Sequence, residues 1–467
     1  MSKDLRQFLQ ILREAGHDFY VEVKKPLKPE LELGIIHLKL ASKGRFPAIY
    51  CPEIEGSKLP LVTDLFDSYG MFALALDMDP ESDKLEILEE YIRRQNDSKT
   101  PKEVPSSEAP VKEVILRGRD IDLGLLPILK HAELNSGKYM TINPLICRDP
   151  VTGILNAGVY RHELKGKDEL GALLVEDHHA ATIRQHYAEL GKPMEVVIFS
   201  GHHPAVIIGA CQIGALDMNE LEVIGGFLGE PLRVTPAETV DLPVPSDAEI
   251  VIEGVIDPND WITDGPFSEY LGYYSGVRAC NRVKVNCITM RKDAIYLDSD
   301  PAHREHPTLT LQAEAITFSA LRSLVPYLKA VHYPTSGRRH HVYISINKSA
   351  QGEGKRAALA ALGAMPWLTL AVVVDEDINI YSDEEVLWAI STRVRGDYDI
   401  DIIPGVSGGT GLEPTGLYDE SRQESHMTAT MTTKIMIDAT KPIGDFPTRI
   451  TPNKELWESM KLDDYLR

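Results

Sequence analysis

Apolar residues open the chain at helical spacing: Leu5, Phe8, Leu9 and Leu12 share one face of a 3.6-residue repeat and predict an amphipathic helix. The next apolar stretches, at 19–23, 48–51 and 61–62, are short and flanked by polar residues, which predicts strands; 85–94 predicts a second helix. Residues 96–114, NDSKTPKEVPSSEAPVKEV, are polar and carry three prolines, which predicts a linker.

From residue 114 to about 296 the pattern turns strand-rich. Runs at 196–199, 206–208, 249–253 and 283–290 predict strands, and helices are predicted over 179–190 and 219–228. A strand-rich segment with two short helices suggests a barrel or sandwich. From residue 309 mixed α/β character returns: an amphipathic run at 309–324, a strand at 342–346, a helix at 354–362 and a strand at 370–374. Ser382 with Glu385 three residues later forms a capping box for a helix over 383–393. Residues 405–411, rich in glycine, read as a flexible loop. No internal repeat is visible.

Length changes this picture little: 467 residues suggest two to four domains. Charge changes it more. The net charge of −21, from 70 acidic and 49 basic residues, argues against binding a nucleic-acid backbone, which needs clustered Lys and Arg. Five cysteines with no CxxC spacing argue against a disulfide framework or a zinc ribbon and fit a reducing compartment. No run of about 18 apolar residues predicts a membrane span, and the charged start MSKDLRQFLQ lacks the apolar stretch of a signal peptide. The expectation is a cytoplasmic protein.

Four stretches carry candidate chemistry. In Asn156–Ala157–Gly158–Val159–Tyr160–Arg161, Asn supplies an amide oxygen and Arg a permanent cation; taken alone, this is an ordinary strand ending in Arg. Glu176, Asp177, His178 and His179 lead into a helix, whose free N–H groups suit a phosphate; half-exposed capping residues are the plain alternative. Glu220 and Glu222 cannot share one helix face, so at most one points inward. Asp264–Gly–Pro–Phe–Ser–Glu269 places a Gly-Pro turn between two acids. Such a turn can bring both to one pocket, where two nearby carboxylates raise one pKa and give a group able to donate a proton near neutrality.

Each signal is weak alone; their order is specific. The chain resembles the UbiD family of decarboxylases along nearly its whole length. NAGVYR resembles the family's flavin-binding strand, DGPFSEYLGYY is the closest single match, and FPAIYCPEI, PAVIIGACQIGALDMNELEVIGGFLGEPL, VVVDEDINIY, VLWAISTRVR and KIMIDATKP match elsewhere. The resemblance implies an α/β (α+β multidomain) fold. Its parts would be an N-terminal α/β domain over 1–113, a central split β-barrel binding prenylated FMN over 114–305, and a C-terminal α/β oligomerisation domain over 306–467. It implies a cytoplasmic carboxy-lyase, a homo-oligomer (dimer or hexamer), supplied with cofactor by a flavin prenyltransferase.

Carried over residue by residue, Asn156, His179 and Glu220 would hold Mn2+ or Mg2+. K+ would sit near Glu220 and the backbone of 209–212, with Gln212 among the cofactor contacts. Ala157, Gly158, Val159, Tyr160 and His178 would line the flavin. Arg161, Asp264 and Glu269 would be catalytic: Arg161 orienting the substrate carboxylate, Glu269 donating the proton, Asp264 tuning both. The chain departs from the family pattern twice: Asp264 stands where some members carry Glu, and 363–375 lacks the cofactor-contacting Lys of some relatives.

For substrate, His303, Arg304 and His306 form a basic cluster that reads either as a polar hinge or as a subsite for a ring substituent. A furan dicarboxylate, a hydroxylated benzoate or a pyrrole carboxylate would suit it. The rival readings are an FMN-dependent oxidoreductase on a split barrel, for which no GxGxxG motif provides a nicotinamide site, and a non-catalytic assembly protein, which would not need Arg161 and Glu269.

Overall fold

The computed structural model describes residues 3–176, 178–302, 307–408 and 431–465, of which the side chains of 307–309 and 454 are not described. The opening helix spans Leu5–Ala15 and buries Leu5, Phe8, Leu9 and Leu12, each contributing about 1.5–3 kcal/mol by leaving water. Short strands Tyr20–Glu22, Ala48–Cys51 and Leu61–Thr63 form a four-stranded sheet with a late strand, Tyr296–Asp298. The N-terminal sheet is thus completed by chain from the far end of the middle region. Helix Lys84–Gln95 follows, with a full capping box between Asp83 and Glu86.

Residues 96–114 are packed rather than loose. Val111 is fully buried, Val104 and Ala109 nearly so. Lys102–Glu103 pairs in parallel with strand Arg233–Pro236. Three prolines remove backbone donors, but three small apolar residues dock the segment on the middle region, so composition alone understates its order.

The middle region is a nine-stranded antiparallel sheet. Its two long members, Ile250–Asp264 and Arg278–Met290, run side by side with register shifts after Glu253 and after Ile256. Such bulges bend and twist a sheet, and this one curls into a half-barrel. Strands Pro144–Arg148 and Leu155–Val159 close one end of the strand order. Helices His179–Leu190 and Glu220–Leu228 lie where expected. The strand expected at 206–208 is instead part of helix Pro204–Ala210, begun by Pro204 at its first turn and capped by His203. Every residue of that helix is buried, so its sequence is apolar all round and carries no helical period to read.

The C-terminal sheet has five strands in the order Leu328–His332, His341–Ile346, Leu370–Asp375, Met431–Asp438, Ile400–Ser407. Helices Pro307–Leu324, Glu353–Ala364 and Asp383–Arg393 accompany it. The expected capping box is half made: Ser382 Oγ accepts from Glu385 N, but the Glu385 carboxylate accepts from Asn379 N and Arg449. The loop expected from 405 begins later, since Gly405 to Ser407 belong to a strand that bulges between Ile403 and Val406; 409–411 lie outside the described residues. The five cysteines are free. Among the described residues no helix is long and apolar enough to cross a membrane.

Candidate active site

One stretch of chain, from Asn156 to Arg161, carries a side-chain cluster at each end. At Arg161, Nε donates to Asp264 Oδ2 at 3.0 Å, Nη2 donates to the same oxygen, and Nη1 donates to Glu269 Oε1. Nη1 also lies 3.5 Å from Ser275 Oγ. The guanidinium sits 4.5 Å from the centre of the Phe267 ring, a contact worth about 0.5–2 kcal/mol. Burial works against the Arg161 charge, but the two carboxylates outweigh it and raise its pKa above the ordinary value. Asp264 is fully buried, and its Oδ1 has no hydrogen-bond partner among the described residues.

The turn that brings the two acids together has identifiable supports. Asp264 ends the long strand Ile250–Asp264, and Phe267–Ser268 begins a two-stranded hairpin with Tyr274–Ser275. Gly265 has φ +85°, and a Cβ there would meet the Gly276 carbonyl oxygen at 2.8 Å, so only glycine fits. Three bonds from one loop fix the turn: Gly265 N donates to Tyr139 Oη at 3.0 Å, Ser136 N to Pro266 O at 2.9 Å, and Ser268 N to Asn135 Oδ1 at 2.8 Å. The Tyr139 ring also packs against Phe267, the two planes tilted by 55° and the centroids 4.5 Å apart. Sequence reasoning missed Asn135, Ser136 and Tyr139, because nothing local marks a tyrosine whose partner lies 126 residues away.

At the other end, Asn156 Nδ2 donates to Glu220 Oε1 at 2.8 Å and lies 3.5 Å from His179 Nδ1, which is itself 3.0 Å from Glu220 Oε1. The hydrogen bond to Glu220 raises the His179 pKa. Glu220 is the inward member of its pair: it is 2% exposed, while Glu222 is half-buried. Asn219 caps the helix and so sets Glu220 in the first turn. Glu220 Oε2 is buried without a hydrogen-bond partner among the described residues.

These observations test whether a divalent ion fits. No cluster of three or more His, Cys, Asp or Glu suited to a metal occurs among the described residues; here the third donor is an amide. Rotating that amide presents its oxygen, giving an O, N, O set with one orphaned carboxylate oxygen, a chemistry suited to Mg2+ or Mn2+. The residues fit.

The other sequence-predicted residues are less concentrated. His178 is exposed at the cap of helix His179–Leu190, its ring 5.9 Å from buried Tyr160. Tyr160 Oη accepts from Ala180 N at 3.4 Å, and Gly158 lies so close to the Tyr160 ring that a Cβ would come within 2.8 Å. Ala157 is buried in the core; Val159 is half-buried. Gln212 turns away from the trio: its Nε2 donates to Tyr91 Oη at 2.6 Å and to Ile208 O at 2.8 Å. His303, Arg304 and His306 lie outside the described residues.

Comparison with known proteins agrees with this layout. The chain matches the N-terminal, Rift-related and C-terminal domains of 3-octaprenyl-4-hydroxybenzoate carboxy-lyase over residues 9–91, 102–303 and 308–439. It is 36% identical to the anhydromevalonate phosphate decarboxylase of Methanothermobacter thermautotrophicus, over 69% of this chain and 74% of that protein. It is 29% identical to the phenolic acid decarboxylase of Sedimentibacter hydroxybenzoicus, over 95% of this chain and 93% of that protein. A solved structure of an evolved dimeric form of the UbiD-class enzyme HmfF from Pelotomaculum thermopropionicum, in complex with prFMN, superposes with a TM-score of 0.87 at 32% identity, each chain covered completely. On the strength of its three domains and their shared fold, the chain belongs to the UbiD family of carboxy-lyases.

Proposed function

We propose that this enzyme releases CO2, reversibly and without net oxidation, from an aromatic or heteroaromatic acid, with prenylated FMN and a divalent metal as its cofactors. The observation that carries the reading is the pair of clusters at the two ends of one short stretch, with Asn156 on strand Leu155–Val159 and Arg161 just beyond it. Five residues of chain span at most about 17 Å. Within that bound one end suits a phosphate with its counter-ion and the other an acid, as a flavin mononucleotide requires.

Asn156, His179 and Glu220 hold Mn2+ or Mg2+, which neutralises the cofactor phosphate in a strongly acidic protein. K+ near Glu220 and the backbone of 209–212 adds to that neutralisation. Ala157, Gly158, Val159, Tyr160 and His178 line the flavin, and Gln212 supports the same region. Bound prenylated FMN supplies the electron sink for the electrons that CO2 leaves behind.

The remaining work falls to the chain. Three of the five N–H donors of Arg161 serve Asp264 and Glu269. Two are left, enough for Ser275 and one oxygen of an incoming carboxylate. Once CO2 has left, the carbon that carried it needs one proton, and Glu269, half-buried and hydrogen-bonded to Arg161, delivers it. Asp264, fixed at the end of its strand, keeps Arg161 aimed and charged. In the reverse direction Glu269 takes the proton back.

By residue type, His303, Arg304 and His306 suit a subsite for a polar or anionic ring substituent, such as the second acid of a furan dicarboxylate. A flavin prenyltransferase supplies the cofactor, and the chain works as a homo-oligomer in the cytoplasm. The test is Glu269→Gln in cofactor-loaded enzyme, assayed for CO2 release against a panel of aromatic and heteroaromatic acids. A fall in kcat of about 10²–10⁴-fold with the flavin spectrum retained is expected. Full CO2 release by the variant, or bleaching of the flavin by NADH in the parent, would defeat the proposal.

A further inference from the structure

The acid-bearing loop is fixed firmly at one end and lightly at the other. Its start, 264–268, is tied to Tyr139, Ser136 and Asn135. Beyond Glu269, the loop has two internal backbone bonds, Glu269 N to Tyr273 O and Gly272 N to Glu269 O, both 2.9 Å. Tyr273 and Tyr274 are 63% and 43% exposed, so little packing restrains them.

A cation from another part of the chain reaches this weak end. After the turn Thr335–Gly337, both Arg338 and Arg339 take left-handed backbone conformations, φ 47° and 71°. Two such residues in succession are uncommon without glycine. They bend the chain out of the C-terminal sheet towards the middle region. Arg338 Nη1 donates to the carbonyl oxygen of Tyr270 at 2.7 Å and lies 3.4 Å from Ala302 O. Arg339 strengthens the same seam. Its guanidinium lies 4.2 Å over Trp367, its Nη2 donates to Gln312 Oε1 at 3.0 Å, and Gln312 Nε2 donates to the Cys211 carbonyl.

We infer that Arg338 is a positioning residue: from the C-terminal region it holds the backbone next to Glu269 and so aims the acid at the substrate. The inference rests on Glu269 as proton donor. It makes docking of the C-terminal region a condition for productive protonation.

The experiment compares Arg338→Ala and Arg338→Lys, alone and combined with Glu269→Gln. Arg338→Ala is expected to lower kcat about 10–100-fold, with KM changed by no more than about twofold, because a displaced acid impairs the step and not the binding. Arg338→Lys keeps a donor and is expected to recover part of kcat; it carries the test if the alanine variant does not fold. On the cofactor-free chain, hydrogen exchange in the peptide spanning 268–274 is expected to quicken about tenfold in Arg338→Ala. In the Glu269→Gln background, adding Arg338→Ala is expected to change the residual rate by less than about twofold, since the two act through one group. Unchanged exchange, unchanged kcat beside an inactive Glu269→Gln, or fully additive losses would each overturn the positioning role. A fully active Glu269→Gln would instead remove the acid assignment itself, and the proposal with it.

Discussion

At Arg161 one guanidinium faces two carboxylates; five residues earlier, at Asn156, an amide, an imidazole and a carboxylate face one another with no permanent cation among them. The first cluster carries its own counter-charge. The second does not: Glu220 is almost fully buried, and among the described residues its one charged partner is the imidazole of His179, while its Oε2 has no hydrogen-bond partner. A buried carboxylate with no permanent counter-charge is costly, so the second cluster calls for a cation from outside. The first, with a charge surplus of one acid and an orphaned Asp264 oxygen, is complete without a ligand but not saturated. One short stretch of chain therefore carries one site built by the chain alone and one that the chain builds only in part.

The contrast breaks most visibly at Arg161. Arg161→Lys keeps the charge but loses the fork that reaches both acids. It is expected to cost about 2–5 kcal/mol of transition-state stabilisation, read as kcat/KM, because the buried Asp264 and half-buried Glu269 lose the fork they share. Mn2+ binding, followed by calorimetry on the cofactor-free chain, should stay within about twofold of the parent if the clusters are independent. A matching loss of metal affinity would show that they are one unit.

The reciprocal change is Glu220→Gln. Removing the buried negative charge is expected to weaken Mn2+ binding by about 10–100-fold in the same titration. Melting temperature without metal should hold or rise, since an uncompensated buried charge is gone. Unaltered Mn2+ affinity would end the metal reading of the trio.

The smallest effect sharpens the comparison through a third residue. His162 follows Arg161 and opens the next strand, where it is fully buried and neither ring nitrogen has a partner among the described residues. Burial alone lowers its pKa to about 3. The unfolded chain protonates near 6.5 and the folded chain does not, so the native state is at full strength above about 6.5 and loses stability as pH falls towards 3, by about 1.4 kcal/mol per unit. His162→Phe should flatten that slope in urea unfolding between about pH 6 and about pH 4. Parallel slopes in the two proteins would show that His162 is hydrated.

Much of the fold was legible because periodicity survives wherever an element has one wet face. The opening helix and the helix at 179 show it, whereas the strands His341–Ile346 and Leu370–Asp375 are buried almost throughout and were legible as short apolar, β-branched runs. Helix Pro204–Ala210 was illegible because burial on every side erases the period. The packed segment 96–114 was illegible because its few apolar residues dock far along the chain. Of the site, the acid–turn–acid motif was readable locally, as was the rule that at most one of Glu220 and Glu222 points inward; that it is Glu220 came from the family resemblance. Tyr139 and Arg338 were not, since their partners lie 126 and 68 residues away.

The sequence alone settled which groups are available: one guanidinium, two acids about a Gly-Pro turn, and an Asn, a His and a Glu in a family-specific order. Residue type fixes charge and donor chemistry without reference to the fold. Only the tertiary structure decided which of them share a space, that the Asp264 and Glu220 carboxylates each keep an oxygen without a hydrogen-bond partner among the described residues, and that the loop bearing Glu269 is held from the C-terminal region. Those facts depend on long-range closure of the curled sheet, and no local pattern encodes where distant strands will meet.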